Sequence, residues 1–144
     1  MEFPLLVVLC RCADQRFALP AASVRRVLGA AQFVAVQQMR SPAVGVVNIA
    51  GVNHALCDGR LALGLVSAEL SPVQRFVELE GLRGSRHWLL WVEEVIDVFS
   101  VTQAQCDALP VPSGSPVQHV LRLPLETVPL LDLLAIEPDA VTGG

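Results

Sequence analysis

At 144 residues and 15.4 kDa, with 53% of residues hydrophobic and 17% charged, the chain has the composition of a compact folded protein, and disorder is excluded for most of its length. All ten basic residues are Arg, and the formal net charge of −4 argues against a nucleic-acid surface. Residues 1–60 carry +3 and residues 61–144 carry −7, an asymmetry that suits protein partners.

The apolar run from Phe3 to Cys10 is far shorter than the ~18 residues of a spanning helix, and it contains Pro4. Glu2 stands where a secretory signal would carry Lys or Arg. The run therefore reads as the first strand of a cytoplasmic protein with no membrane insertion. Leu5 to Cys12 and Arg16 to Leu19, separated by Ala13-Asp14-Gln15, predict a β-hairpin that Pro20 closes. Val44 to Ile49 and Val52 to Cys57 predict a second, with Gly51 at the tight reversal. A short helix is expected over Gly59 to Leu65, after Asp58. Phe76 to Glu80 and Trp88 to Val92 predict a third hairpin across Gly81 to Arg86.

Val92, Val95, Ile96 and Phe99 match the spacing of a one-faced helix, but the β-branched content from Val92 to Val101 favours a bent strand. Pro110 to Pro116 is an exposed loop, Leu130 to Ile136 a second short helix, and 138–144 a flexible tail. Val24-x-x-Val27 recurs as Val95-x-x-Val98 at an offset of 71, and Ala55-Leu56-Cys57-Asp58 as Pro129-Leu130-Leu131-Asp132 at an offset of 74. Both offsets lie near half the chain. With many short strands, they suggest two similar small β-barrels in one chain, since closure removes exposed sheet edges.

Catalytic and metal-binding patterns do not emerge. None of Cys10, Cys12, Cys57 and Cys106 forms a Cys-x-x-Cys pair, so no zinc site is signalled. Cys10 and Cys12 share one strand face in poor geometry for a disulfide and read as buried thiols. His54 and Cys57 look like a nucleophile pair, yet an offset of three puts them on opposite faces of a strand. His87 and His119 read as structural histidines. There is no Gly-x-Ser-x-Gly elbow, phosphate-cradling loop or His-Glu-x-x-His helix, and no cofactor is called for.

The spread of Phe17-Ala-Leu-Pro20, Val24-x-x-Val27, Gly45-Val-Val-Asn48-Ile-Ala50-Gly51, Asp58-x-Arg60, Val92-Glu-Glu-Val95 and Pro129-Leu-Leu-Asp-Leu133 resembles the CheW-like coupling proteins of bacterial chemosensory arrays. The resemblance implies a mainly β fold of two SH3-like, five-stranded barrels with short helices. These would intertwine in a single domain spanning 1–144. It also implies a role without catalysis, bridging chemoreceptors to the regulatory domain of a histidine kinase. On that reading Val24, Gly45, Asn48 and Gly51 lie at or beside the groove that accepts the receptor's cytoplasmic helical tip.

Two positions depart from the family's usual residues. Arg26 stands where Glu is common, and Ala50 stands where Arg is common before the hairpin Gly. If the family residues attract each other, this double change avoids a like-charge clash and gives the receptor-facing surface a different electrostatic identity. Three functions compete: a receptor–kinase adaptor, an accessory or decoy protein that binds the kinase without receptors, and an enzyme using Cys57 with His54. A mean hydropathy of +0.54 also leaves room for self-association.

Overall fold

The computed structural model describes residues 1–84, 86–139 and 141. Among the described residues, twelve strands form two six-stranded sheets. The first strands are β1 (Leu5–Cys12), β2 (Gln15–Pro20), β3 (Val24–Gly29), β4 (Val34–Ala35), β5 (Ala43–Ile49) and β6 (Val52–Asp58). After the short helix α1 (Gly59–Ala62) come β7 (Arg75–Leu79), β8 (Trp88–Val92), β9 (Glu94–Val101), β10 (Cys106–Ala108), β11 (Val117–Arg122) and β12 (Thr127–Leu131), then α2 (Leu133–Ile136). The mainly β expectation holds, with two β subdomains and few short helices. Each sheet numbers six strands because a two-residue β4 and a three-residue β10 are added at the edges.

One sheet runs β3-β7-β8-β6-β5-β4 and the other β9-β1-β2-β12-β11-β10. Every neighbouring pair has the same sense in both: all are antiparallel except β8 with β6 and β2 with β12, which are parallel. The repeats seen in the sequence fall on equivalent strands. Val24 and Val95 lie in β3 and β9, while Asp58 ends β6, Asp132 follows β12, and the two cap α1 and α2 with their carboxylates. The second copy is completed by the N-terminal hairpin, because β1 and β2 occupy the places that β7 and β8 hold in the first.

Three apolar clusters follow from this layout. Val7, Leu9, Ala18, Val101, Leu121, Val128 and Leu130 fill one sheet's interior. Val47, Leu56, Phe76, Leu89 and Trp91 fill the other's, with Leu28 from β3 and Ile49 from β5 packed against the same cluster. The largest lies between the sheets and draws Cys10, Phe17, Cys57, Leu79, Trp88, Leu90 and Ile136 from both. The central strands therefore bury both faces, which explains why β8 is apolar at every position and does not alternate.

The predicted hairpins occur at their expected places. The bent strand starts at Glu94 and belongs to the other sheet, where it pairs with β1. Two helix expectations need correction: α1 ends at Ala62 and not at Leu65, with Gly64 at a positive φ of 78°, and Leu130 to Ile136 is not helical throughout, because β12 continues to Leu131 and the Asp132 cap lets α2 begin only at Leu133. Of the expected tail, 140 and 142–144 lie outside the described residues. Among the described residues no helix is long and apolar enough to cross a membrane.

Candidate partner-binding site

The six residues singled out in the sequence sit on β3 and on the β5–β6 hairpin. Two strands, β7 and β8, stand between them in the sheet order. Val24 is half-buried and packs against the cluster between the sheets. Arg26 pairs in register with Glu78 of β7, and its Nε and Nη2 donate to Glu78 Oε1 at 3.2 and 3.1 Å. The Arg26 side chain is 54% exposed and that of Glu78 only 6%. His87 Nδ1 lies 3.5 Å from the other carboxylate oxygen. A carboxylate drawn this far from water requires such partners, so Arg26 does more than cover the surface. Nothing pairs it with Ala50.

Ala50 and Gly51 have φ of 52° and 86°, the two positive values that a type I′ hairpin turn needs. Glycine adopts that conformation without strain, whereas Ala50 holds it at some cost. Asn48 organises the turn. Its side-chain carbonyl accepts from Gly51 N at 3.1 Å and its amide donates to Asn53 Oδ1 at 2.9 Å. Gly45 is buried, and a Cβ there would stand 2.3 Å from the Val34 carbonyl oxygen and 2.7 Å from Phe33 Cδ2. Close approach of β4 thus accounts for this glycine.

The two groups are linked by residues that sequence reading did not assign to the site. A cavity of about 310 Å³ is bounded by Gly51, Val52, Asn53, His54, Arg86 and His87. His87 therefore reaches from the Arg26–Glu78 pair to the hairpin. Its reading as a structural histidine agrees with the Glu78 contact. The signal for Glu78 was an acid on the face that it shares with Phe76, a core residue. Val27 and Val52, 42% and 49% exposed, add apolar surface.

His54 and Cys57 diverge as expected. His54 Nδ1 lies 3.1 Å from the Val52 carbonyl, while the Cys57 thiol donates to the buried Ile136 carbonyl at 3.7 Å. Burial, reinforced by the neighbouring Asp58, pushes the Cys57 thiol up to about 12. Cys10 and Cys12 are pushed up to about 12, again chiefly by burial. Thiols in that state are poor nucleophiles at neutral pH. Among the described residues no group of three His, Cys, Asp or Glu side chains is arranged to hold a metal.

A separate polar cluster joins the two sheets beside α1. Glu93, between β8 and β9, accepts from Ala13 N in the β1–β2 turn and pairs with Arg60 Nη2 at 2.8 Å. Burial raises the Glu93 carboxyl, but the Ala13 N–H and the Arg60 guanidinium outweigh it and hold it below the ordinary carboxylate value. Asp58 accepts from Arg60 N at 2.9 Å and from the Ser67 hydroxyl. The Asp58-x-Arg60 motif thus fastens one sheet to the other.

A family model described as a CheW-like domain matches residues 6–139. The solved scaffolding protein TtCheW from Thermoanaerobacter tengcongensis superposes with a TM-score of 0.79 at 18% identity, over 99% of this chain and 97% of that one. Comparison with the curated proteins found no match.

Proposed function

The chain belongs to the CheW-like domain family, and from that premise we propose that it is a non-catalytic adaptor. It couples the cytoplasmic helical tip of chemoreceptors to the regulatory domain of a histidine kinase in the cytoplasm. The observation that carries this reading is the family match across 6–139, which takes in nearly every strand of both sheets. A protein of this kind acts by contact, and modest interfaces suffice where many are linked in one lattice. Support for the site comes from the exposed end of the first sheet, where Arg26, Asn48, Ala50 and Gly51 are all open to solvent. Val24 and Gly45 support that end from within: one packs on the core and the other admits β4.

Arg26 favours a second reading. Its guanidinium is engaged by Glu78, so the charge presented outward differs from that of a family member with Glu at this position. An accessory protein that binds the kinase but not receptors would carry such a change. Co-sedimentation with a receptor-tip fragment and a kinase regulatory-domain fragment separates the two. Retention of both partners supports the adaptor, retention of the kinase fragment alone supports the accessory protein, and retention of neither overturns both. An Arg26→Glu variant is expected to change receptor binding; unchanged binding to both fragments would remove Arg26 from the interface.

A further inference from the structure

The duplication leaves one hairpin turn of each half in the hold of the other half. In the β1–β2 turn, Ala13 N donates to Glu93, which pairs with Arg60 of α1. The equivalent turn joins β7 to β8. There Leu82 N donates to one carboxylate oxygen of Glu137 and Arg83 N donates to the other, the latter at 3.0 Å. Glu137 directly follows α2, so its carboxylate comes from the half to which the β7–β8 turn does not belong. Two residues after its capping aspartate α1 carries Arg60, whereas α2 carries Leu134. The second hold therefore draws its guanidinium from the turn itself: Arg83 Nη2 donates to the Glu137 backbone carbonyl, and the contact runs in both directions.

The two holds differ in what they can do. The Glu93 and Arg60 side chains are only 17% and 22% exposed and fasten the sheets to each other. The Glu137 contacts lie at the surface, where charged contacts add little to global stability. Their geometry is nevertheless fixed from both ends. Glu137 N donates to the Leu133 carbonyl at 2.9 Å, and Leu133 and Ile136 seat α2 in the apolar cluster between the sheets. On the other side the turn closes on Gly81, where a Cβ would collide with the Arg86 carbonyl oxygen. Leu82 and Arg83 thus stand between a carboxylate anchored on the core and a backbone that leads straight into His87. That histidine meets the buried Glu78 carboxylate and borders the cavity at the Gly51 hairpin.

We infer that Glu137 is a positioning residue of the partner-binding face: from the second half of the molecule it holds the β7–β8 turn, and so sets His87 between the Arg26–Glu78 pair and the hairpin. What that face binds rests on the adaptor reading above; the hold itself does not. An ionised carboxylate suits the task, since it is an acceptor at both oxygens and takes two successive backbone N–H groups at once.

The test compares the full chain with Glu137→Ala and Glu137→Gln. Solvent exchange of backbone amides, followed by ¹H–¹⁵N NMR, reports the hold. Glu137→Ala is expected to speed exchange at Leu82 and Arg83 by roughly tenfold, as loss of a hydrogen bond to a charged group does, while Ala13 in the other turn keeps its rate. Glu137→Gln retains one acceptor oxygen and should release only one of the two amides. The positioning role is read at the His87 imidazole, whose cross-peaks are expected to shift in Glu137→Ala while the thermal midpoint stays within about 2 °C of the parent. In co-sedimentation, binding of the receptor-tip fragment should weaken by roughly threefold and binding of the kinase fragment stay unchanged. If Glu137→Ala does not fold, Glu137→Gln carries every comparison. Unaltered exchange at Leu82 and Arg83 overturns the hold. Faster exchange with unmoved His87 cross-peaks, or an equal loss of both fragments, overturns the positioning role. A parent chain that retains neither fragment overturns the adaptor reading instead, and the exchange and His87 measurements then decide the inference by themselves.

Discussion

Arg26→Glu replaces the guanidinium on Glu78 with a second carboxylate, in strands whose register holds the two residues opposite each other. In the parent, Arg26 lies 3.1 Å from a carboxylate oxygen whose side chain is 6% exposed. Two unit charges about 5 Å apart at an effective dielectric near 20 interact by roughly 3 kcal/mol, and reversing one sign turns attraction into repulsion of similar size. Water on the exposed side of position 26 and rotation of the new side chain relieve part of this. A net loss of about 2–3 kcal/mol is therefore expected for Arg26→Glu, and about 1–2 kcal/mol for Arg26→Ala, which leaves Glu78 short of one donor. Urea unfolding at pH 7, followed by circular dichroism, measures both. The exchanged pair Arg26→Glu with Glu78→Arg should recover part of the loss by restoring opposite charges. An Arg26→Glu variant within 0.5 kcal/mol of the parent, or an exchanged pair no more stable than the single variant, would refute the role assigned to Arg26, 0.5 kcal/mol being about the size of an ordinary surface substitution.

Gly45→Ala should destabilise the fold by about 1–3 kcal/mol, since β4 must retreat from the new Cβ. Phe33, whose ring lies 5.9 Å from that of Trp91, must retreat with it, so a changed near-ultraviolet spectrum of Trp91 is the local check. The Glu93 carboxyl is held below its ordinary value in the folded state, so its contribution is complete at neutral pH. That contribution is lost as pH falls from the ordinary value through the folded one. Glu93→Gln should be less stable than the parent at pH 7, with the two stability curves converging in acid; parallel curves would contradict this. A thiol reagent should modify Cys106 first, because it is only partly buried, while Cys10, Cys12 and Cys57 wait for unfolding. Cys106→Ser should leave the folded protein nearly unreactive.

Local chemistry made the hairpins legible. Gly51 marked a reversal and Asp58 a helix start, because a carboxylate just before a turn satisfies backbone N–H groups; Asp132 does the same for α2 but stood inside the run read as helical. The paired offsets near half the chain signalled the duplication, since Val24 and Val95 lie in equivalent strands. Long-range pairing was hidden. Nothing between Val92 and Val101 distinguishes a strand that continues in its sheet from one that crosses at Glu93 into the other, because both bury similar apolar side chains. At the site, Gly51 was legible through turn chemistry, and Asn48 and Ala50 through the family resemblance, but Glu78, Arg86 and His87 were not. Their roles arise from β7 and β8 standing between β3 and the hairpin, a matter of register that spacing along the chain does not encode.

The duplicated architecture is interleaved in time as well as in space. The strands of one sheet, β3 to β8, follow each other without interruption from Val24 to Val92. A nascent chain leaving the ribosome can assemble that sheet while the rest is still being made. The other sheet joins the earliest strands to the latest, so the face of β1 and β2 that carries Val7, Leu9 and Ala18 must wait for β9 to β12 to cover it. The half that carries Arg26 and the Asn48 hairpin is therefore the half that synthesis completes first.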